Sequence, residues 1–335
     1  MSTSWLIPFQ KTLSLALCAV AASWGAATAA ATASYPEKLV RVIVPYPAGG
    51  PADVMARQIA PALEAELGAT VIVENVGGGS GSIGATRVLR SPADGYQVLL
   101  ASPMDLIQAP LSVAGANFKS EDFALAGMII HTDLVMIGRK DLPYDTITEL
   151  VEGARQPGTK TLTYGSVGHG SLFHLAGESF SQRTGVEMMH VPYRGGGPVI
   201  QDLMGGQIDL TFIPLAGPVL NLIRSGQVKP LALASRERHP LLPDLPLVSE
   251  SPGLDGFAFD IWAALGVPRE TPEPVQTTLN TALTRAITQA AVRDNLTANG
   301  PKIASASTLD DMATLYRAEI QRYAELAKAA GVAPQ

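Results

Sequence analysis

The sequence predicts an α/β protein built as two doubly wound lobes with a ligand cleft between them. Three observations carry this. Short apolar runs alternate with helical patterns in two successive sets, the pattern of parallel sheets covered by helices on both faces. The last part of the chain is helical, with no strands to form a sheet of its own, so its helices must pack back on the first sheet. Each alternating set also carries a glycine-bearing loop where a strand hands over to a helix. The middle segment is then an inserted lobe. Lobe 1 is discontinuous (34–137 plus 237–335) and lobe 2 is 138–236, joined by two crossing strands that leave a hinge.

Residues 1–33 stand apart as a signal peptide. Lys11 supplies the positive region, residues 13–24 are apolar, and Ala31-Thr32-Ala33 is a small-residue cleavage signature. Cleavage after Ala33 leaves 23 basic residues against 30 acidic ones and removes Cys18, the single cysteine. The second half of the stretch, mostly Ala, Ser and Thr, is too weakly apolar for a membrane anchor. No later window approaches a ~20-residue apolar span, so the mature protein is expected to be soluble, and the signal peptide places it in the periplasm.

The first set runs as strand 39–45, helix 52–67 with Pro61 expected to kink it, strand 70–75, helix 82–90 and strand 96–102. Strands 123–130 and 134–139 follow, with His131-Thr132-Asp133 read as a short turn between them. The second set is strand 161–165, helix 171–184, strand 186–191, helix 198–204, strand 208–213, helix 218–224 and strand 229–235. Residues 236–256 are rich in proline and turn formers, a surface connection. Strand 257–267 and helices 272–290, 291–299 and 309–330 complete the chain, with Asn299-Gly300-Pro301 as a stop signal. No internal repeat is evident in the sequence.

Composition narrows the function. Of 335 residues, 47% are hydrophobic and 16% charged, which excludes disorder. A formal charge of −6 argues against nucleic acid or an anionic membrane as partner. One cysteine excludes a disulfide framework and any Cys-rich metal site.

Ligands of open α/β sheets sit beyond the carboxyl ends of strands, where helices begin. Two loops lie there: residues 45–53 (PYPAGGPAD) and residues 165–174 (GSVGHGSLFH). Glycine lets the backbone approach a ligand, and the free N–H groups of a helix start favour an anion. Neither loop carries a lysine, so a carboxylate held by N–H and hydroxyl donors fits better than a phosphate. Removing a carboxylate from water costs several kcal/mol, and each hydrogen bond to a charged group returns about 1.5–3 kcal/mol, so roughly three to five donors are needed. Neither loop alone obviously supplies them; the two together can.

These loops, with the runs YPEKLVRVIVPYPAGGPADVMARQIAPALEAELGATVIVEN, SPADGYQVLLAS, YGSVGHGSLFHLAGESF, HVPYRGGGPVIQDLMGGQIDL, LPDLPLVSE and WAALGVPRETPEPVQTTLN, resemble the Bug family, extracytoplasmic receptors of tripartite tricarboxylate transporters. The resemblance spans nearly all of the mature chain. It implies a type II periplasmic binding protein fold, capture of a small carboxylate between the lobes, and delivery to membrane transporter subunits. It further implies that the loops hold the ligand mainly through backbone amides, often with ordered water. Matched residue by residue, it points to Tyr46, Ala48, Gly49, Gly50 and Asp53 on one lobe, with Ser102 at the end of the third strand. On the other lobe it points to Ser166, His169, Gly170 and Ser171. The chain departs from the family at Val76-Gly77-Gly78, where Arg-Pro-Gly is common, which puts the usual contacts of that loop in doubt.

Other signals are set aside. Gly79-Ser80-Gly81-Ser82-Ile83-Gly84 fits G-x-G-x-x-G, with Asp105 about twenty residues on, yet follows the second strand at a distance instead of turning tightly from the first. His169 and His174 are five apart and would face different directions on a helix, so with His190 they make a poor metal set; no metal or cofactor is expected. His174 is expected to cap or pack locally. Arg194 either pairs with a distal ligand charge or is solvated, and Asp53 either steadies its helix or orients a water or a ligand amine. Asp202 and Asp209 read as surface or cap residues, and Trp262, Phe257 and Phe259 as core or cleft wall. The overall expectation is a monomeric solute receptor without catalytic residues. The rivals are a ligand sensor for a membrane kinase and an enzyme using Asp53 and His169 as acid and base.

Overall fold

The computed structural model describes residues 35–298 and 300–332. The expected signal peptide, its cleavage point and Asn299 lie outside these residues.

The elements follow the alternation closely. They are β1 (Val40–Val44), α1 (Pro51–Leu67), β2 (Val71–Asn75), α2 (Ser82–Leu89) and β3 (Gln97–Ala101), then a π turn (Met104–Gln108) running into α3 (Ala109–Ser112). After β4 (Phe123–Arg139) come α4 (Ile147–Ala154), β5 (Leu162–Ser166), α5 (Leu172–Thr184), β6 (Met188–Pro192), α6 (Gly196–Met204), β7 (Leu210–Pro214), α7 (Gly217–Arg224) and β8 (Val228–Ala234). The chain closes with β9 (Asp260–Pro268), α8 (Glu273–Thr288), α9 (Ala290–Thr297), β10 (Lys302–Ile303) and α10 (Leu309–Ala329). Local chemistry explains the limits. Pro51 opens α1, where a missing N–H costs nothing, and Gly68 closes it at φ 66°, its N–H on Glu64 O. The helix is continuous through Pro61.

One sheet of ten strands passes through both halves of the molecule. In the first half the order is β2-β1-β3-β9-β4, and in the second β6-β5-β7-β4-β8. Each half begins with three parallel strands, the first in sequence at the centre, and then accepts one antiparallel strand from outside its own run. That strand is β9 in the first half and the end of β4 in the second. The two halves therefore repeat a topology that no sequence repeat announces, and the fold is the two-lobed one expected.

Two readings need correction here. Residues 131–133 are not a turn: β4 runs 17 residues without interruption. The polar triplet lies inside the ladder, where His131, Thr132 and Asp133 pair with Trp262, Ile261 and Asp260. His131 Nδ1 meets Asp260 Oδ2 at 2.8 Å and Lys302 Nζ meets Asp133 Oδ2 at 2.9 Å, so these polar groups are matched across strands. Asp209 is not a surface residue. It is buried, accepts the N–H and hydroxyl of Thr163 at 2.9 and 3.0 Å, and receives Arg139 Nε at 3.0 Å.

Helix α4 is missing from the sequence reading although its signal was present. Thr146 Oγ1 accepts the Glu149 N–H, and Glu149 Oε2 reaches back to the Asp145 N–H. The C-terminal helices pack on the first half as expected. Asn280 of α8 donates to Ala126 O at 2.8 Å, and Tyr316 of α10 donates to Ser120 O at 2.9 Å. Gly127 makes room for α8, since a Cβ there would lie 2.9 Å from Leu283. Trp262, Phe257 and Phe259 are core residues, and Phe257 meets Phe180 and Phe212 at centroid distances of 6.3 and 5.7 Å. Each buried ring of this kind is worth about 1.5–3 kcal/mol. Among the described residues no helix is long and apolar enough to cross a membrane.

Candidate ligand-binding site

In the first half the loops after β1, β2 and β3 form one cluster, because those strands are neighbours. Glycine permits the close approach: a Cβ on Gly84 would lie 2.9 Å from Pro45 Cα, and one on Gly81 would lie 2.6 Å from Asp105 Cβ. Asp105 is the centre of the cluster. It is fully buried and accepts the Ser102 N–H at 2.9 Å, the Ser102 hydroxyl at 2.6 Å and the Tyr46 hydroxyl at 3.2 Å. Burial pushes its carboxyl up to about 7, against the opposing pull of the Ser102 and Tyr46 hydrogen bonds. Burial, and then the charge of Asp105, also raise the Tyr46 phenol. Tyr46 and Ser102 thus have their hydroxyls committed to an internal carboxylate. Sequence reasoning noticed Asp105 only as a dinucleotide signal.

Asp53, at the third position of α1, accepts the Gly49 N–H at 2.9 Å and Arg57 Nε at 3.0 Å. Arg57, followed by the Gly49 N–H, holds its carboxyl down at about 2. The reading of Asp53 as a helix-steadying acid fits these contacts. Gly49 has φ 81°, which favours glycine.

In the second half, Ser166 is fully buried at the end of β5, and its Oγ lies 2.6 Å from His190 Nε2. The same oxygen accepts the Gly168 N–H at 3.1 Å. Ser171 caps α5, its Oγ accepting the His174 N–H and donating to Gly168 O at 2.7 Å. Gly170, at φ 75°, donates its N–H to His174 Nδ1 at 3.1 Å. His169, His174 and His190 lie together with tilted rings, centroids 4.5 Å apart for the first pair and 4.2 Å for His174 and His190. Burial lowers both His174 and His190 to about 4, so both are neutral near pH 7. The expectation that these three histidines stay apart is overturned. His169 is in the loop before the cap, so helical spacing does not govern it, and β6 brings His190 alongside β5.

The loop of the second half touches the first. A Cβ on Gly170 would lie 3.6 Å from Ser112 Cβ and 3.0 Å from Val332 Cγ1. The free N–H donors overlap only in part with the residues the sequence singles out: Ala48, Gly50, Asp53 and His169 are among them, and Gly49, Gly170 and Ser171 are not. The N–H groups of Gly49, Gly168, Gly170 and Ser171 are all engaged internally. Among the described residues no protein acceptor meets the N–H of Ala48, Gly50, Ala52 or Asp53 in one half, or of His169, Leu172 or Phe173 in the other. Those unmet donors sit in the first turns of α1 and α5 and in the loops that lead into them. Arg194 is exposed and, among the described residues, unpaired; it is the second residue after β6, the position equivalent to Gly77 after β2.

A cavity of about 660 Å³ opens elsewhere, between β10, α10 and the crossing strands, and none of the expected site residues lines it. Its wall carries Asp133, Glu237, Asp260, Asp311 and Glu319 against Arg236 and Lys302. That balance repels an anion, so size alone does not make it the anion site.

Two halves of one topology, sharing a crossing strand and each opening a helix at the end of its central strand, define a two-lobed solute-binding protein. The chain belongs to the family of tripartite tricarboxylate transporter receptors, whose family model matches residues 55–332. Protein BugT of Bordetella pertussis is 33% identical over 321 residues, covering 92% of this chain and 94% of that one. Among solved structures, Rpa4515 of R. palustris with adipate is 32% identical with a TM-score of 0.74, covering 90% of this chain and all of that one. MatC from Rhodopseudomonas palustris with bound malate is 29% identical with a TM-score of 0.70, covering 87% and 99%. The family is one of transporter receptors.

Proposed function

We propose that the protein captures a small dicarboxylate or tricarboxylate between its lobes and hands it to a membrane transporter of the tripartite type. The observation that carries this is the set of unmet amides at the starts of α1 and α5, one set in each half. With four such donors in the first half and three in the second, each set falls within the roughly three to five that a desolvated carboxylate needs, so a diacid that engages both sets favours the closed form. Adipate and malate in the related structures fit such donors. The division into 34–137 plus 237–335 and 138–236, export with cleavage near Ala33, and a monomeric receptor belong to the same reading. Tyr46, Ala48, Gly49, Gly50, Asp53 and Ser102 shape one wall. Ser166, His169, Gly170 and Ser171 shape the other, and Arg194 faces a distal charge. Catalysis has no support from Asp53, whose carboxylate is tied to Arg57 and the Gly49 N–H.

Thermal shift with adipate, malate and citrate tests the proposal. Saturation at 100 times Kd adds about 2.7 kcal/mol to the folded state. Trp262, the one tryptophan after residue 33, lies on the crossing strand β9 and should change its emission as the lobes close. Stabilisation by a neutral sugar or a cation, with none by any acid, overturns the reading.

A further inference from the structure

We propose that His169, His174 and His190 form a binding site for a first-row divalent transition cation, zinc foremost, on the loop of the second half. Each histidine offers a ring nitrogen, and the three nitrogens lie within 4.8 Å of one another. Tetrahedral zinc, with bonds of 2.0–2.1 Å to nitrogen, needs ligand atoms ~3.3 Å apart. Closing that gap takes a side-chain rotation of His169, which is exposed and, among the described residues, makes no hydrogen bond through its ring.

The other two are set up by their neighbours. His190 holds Ser166 Oγ with Nε2, and when it donates that hydrogen its Nδ1 keeps a lone pair. His174 accepts the Gly170 N–H at Nδ1, so that nitrogen already carries a lone pair, while its Nε2 lies 3.8 Å from Glu178 Oε1. For His190, an oxygen on one ring nitrogen with the other free to bind is the outer-shell arrangement that orients metal-bound histidines. Taking His174 through Nδ1 requires the ion to displace the Gly170 N–H, with no change in the proton on the ring. Three imidazoles leave a fourth position open. On the receptor reading, on which this last step rests, a ligand carboxylate oxygen fills it, aided by the released Gly170 N–H.

The test uses purified protein without an affinity tag, in a carboxylate-free buffer. Zinc titrated by calorimetry should bind one ion per chain, and cobalt(II) should develop the intense visible absorption of tetrahedral coordination. His169→Ala, an exposed substitution that leaves the metal-free melting temperature unchanged, should weaken zinc at least about tenfold. His131→Gln, outside the cluster, should leave it unchanged. Equal zinc affinity in the wild type and His169→Ala, or cobalt that keeps the weak spectrum of its hydrated ion, overturns the site. Thermal shift by adipate in the presence of a chelator tests the receptor reading alone, so the two ideas fail separately.

Discussion

The starts of α1 and α5 solve one geometric problem with different chemistry. In each, a glycine at positive φ, Gly49 or Gly170, donates its N–H to the side chain four residues on, at the third position of the helix. The acceptor is the carboxylate of Asp53 in one half and the imidazole of His174 in the other. Asp53 therefore fixes a negative charge at the start of α1, balanced by Arg57, whereas α5 opens on neutral groups. On the proposed reading the Asp53 charge weakens the pull of the α1 amides on an anion, an opposition that the loop before α5 lacks. If the proposed site holds, the second half is the stronger side of the anion grip and the first contributes through its backbone.

The largest effect expected from this contrast concerns Asp105, the buried acid in the loop cluster of the first half. Its folded carboxyl titrates near 7 and its unfolded one near 3.9. Below pH 4 both states are protonated and the stability is fully present. As pH rises toward 7 the unfolded chain loses the proton first, so stability falls, by on the order of a few kcal/mol, and levels off above the folded value. Asp105→Asn, which keeps an acceptor for Ser102 and Tyr46, should remove that slope. Urea denaturation between pH 4 and 8 measures it, and parallel profiles for the two proteins would mean that Asp105 is ionised in the fold.

A smaller effect distinguishes the imidazole. His174→Ala leaves the buried Gly170 N–H without an acceptor and should cost about 1–3 kcal/mol. Gly49 is exposed, so loss of its acceptor can be made good by water. Chemical denaturation reads the cost, and an unchanged midpoint for His174→Ala would falsify the equivalence of the two glycine contacts. The smallest effect is electrostatic. Asp53→Asn keeps an acceptor for Gly49 and removes the charge, so a dicarboxylate should bind several-fold tighter at low salt, with the gain fading as salt rises. Weaker binding at every ionic strength would show Asp53 to be a contact for the ligand.

Much of this molecule could be read from local pattern. The alternation of strands and helices, and the placing of both glycine loops at helix starts, came from apolar periodicity and turn chemistry, which depend on residues close in sequence. The same locality explains the errors. His131-Thr132-Asp133 resembled a turn because its polar groups find their partners on β9 and β10, more than a hundred residues away. Helix α4 went unread although Thr146 and Glu149 spell its cap. The engagement of Gly49 by Asp53 was accessible in principle, since the two are four residues apart.

The sequence by itself determined that strands and helices alternate in two sets and that a helix begins after the first strand of each, because propensity, periodicity and capping act over a few residues. Tertiary structure alone decided that β4 passes through both halves, that Asp105 is buried beneath Tyr46 and Ser102, and that three histidines from a loop, a helix and a strand share one place. Those outcomes depend on which strands lie side by side, and strand neighbours are chosen by packing across the whole chain.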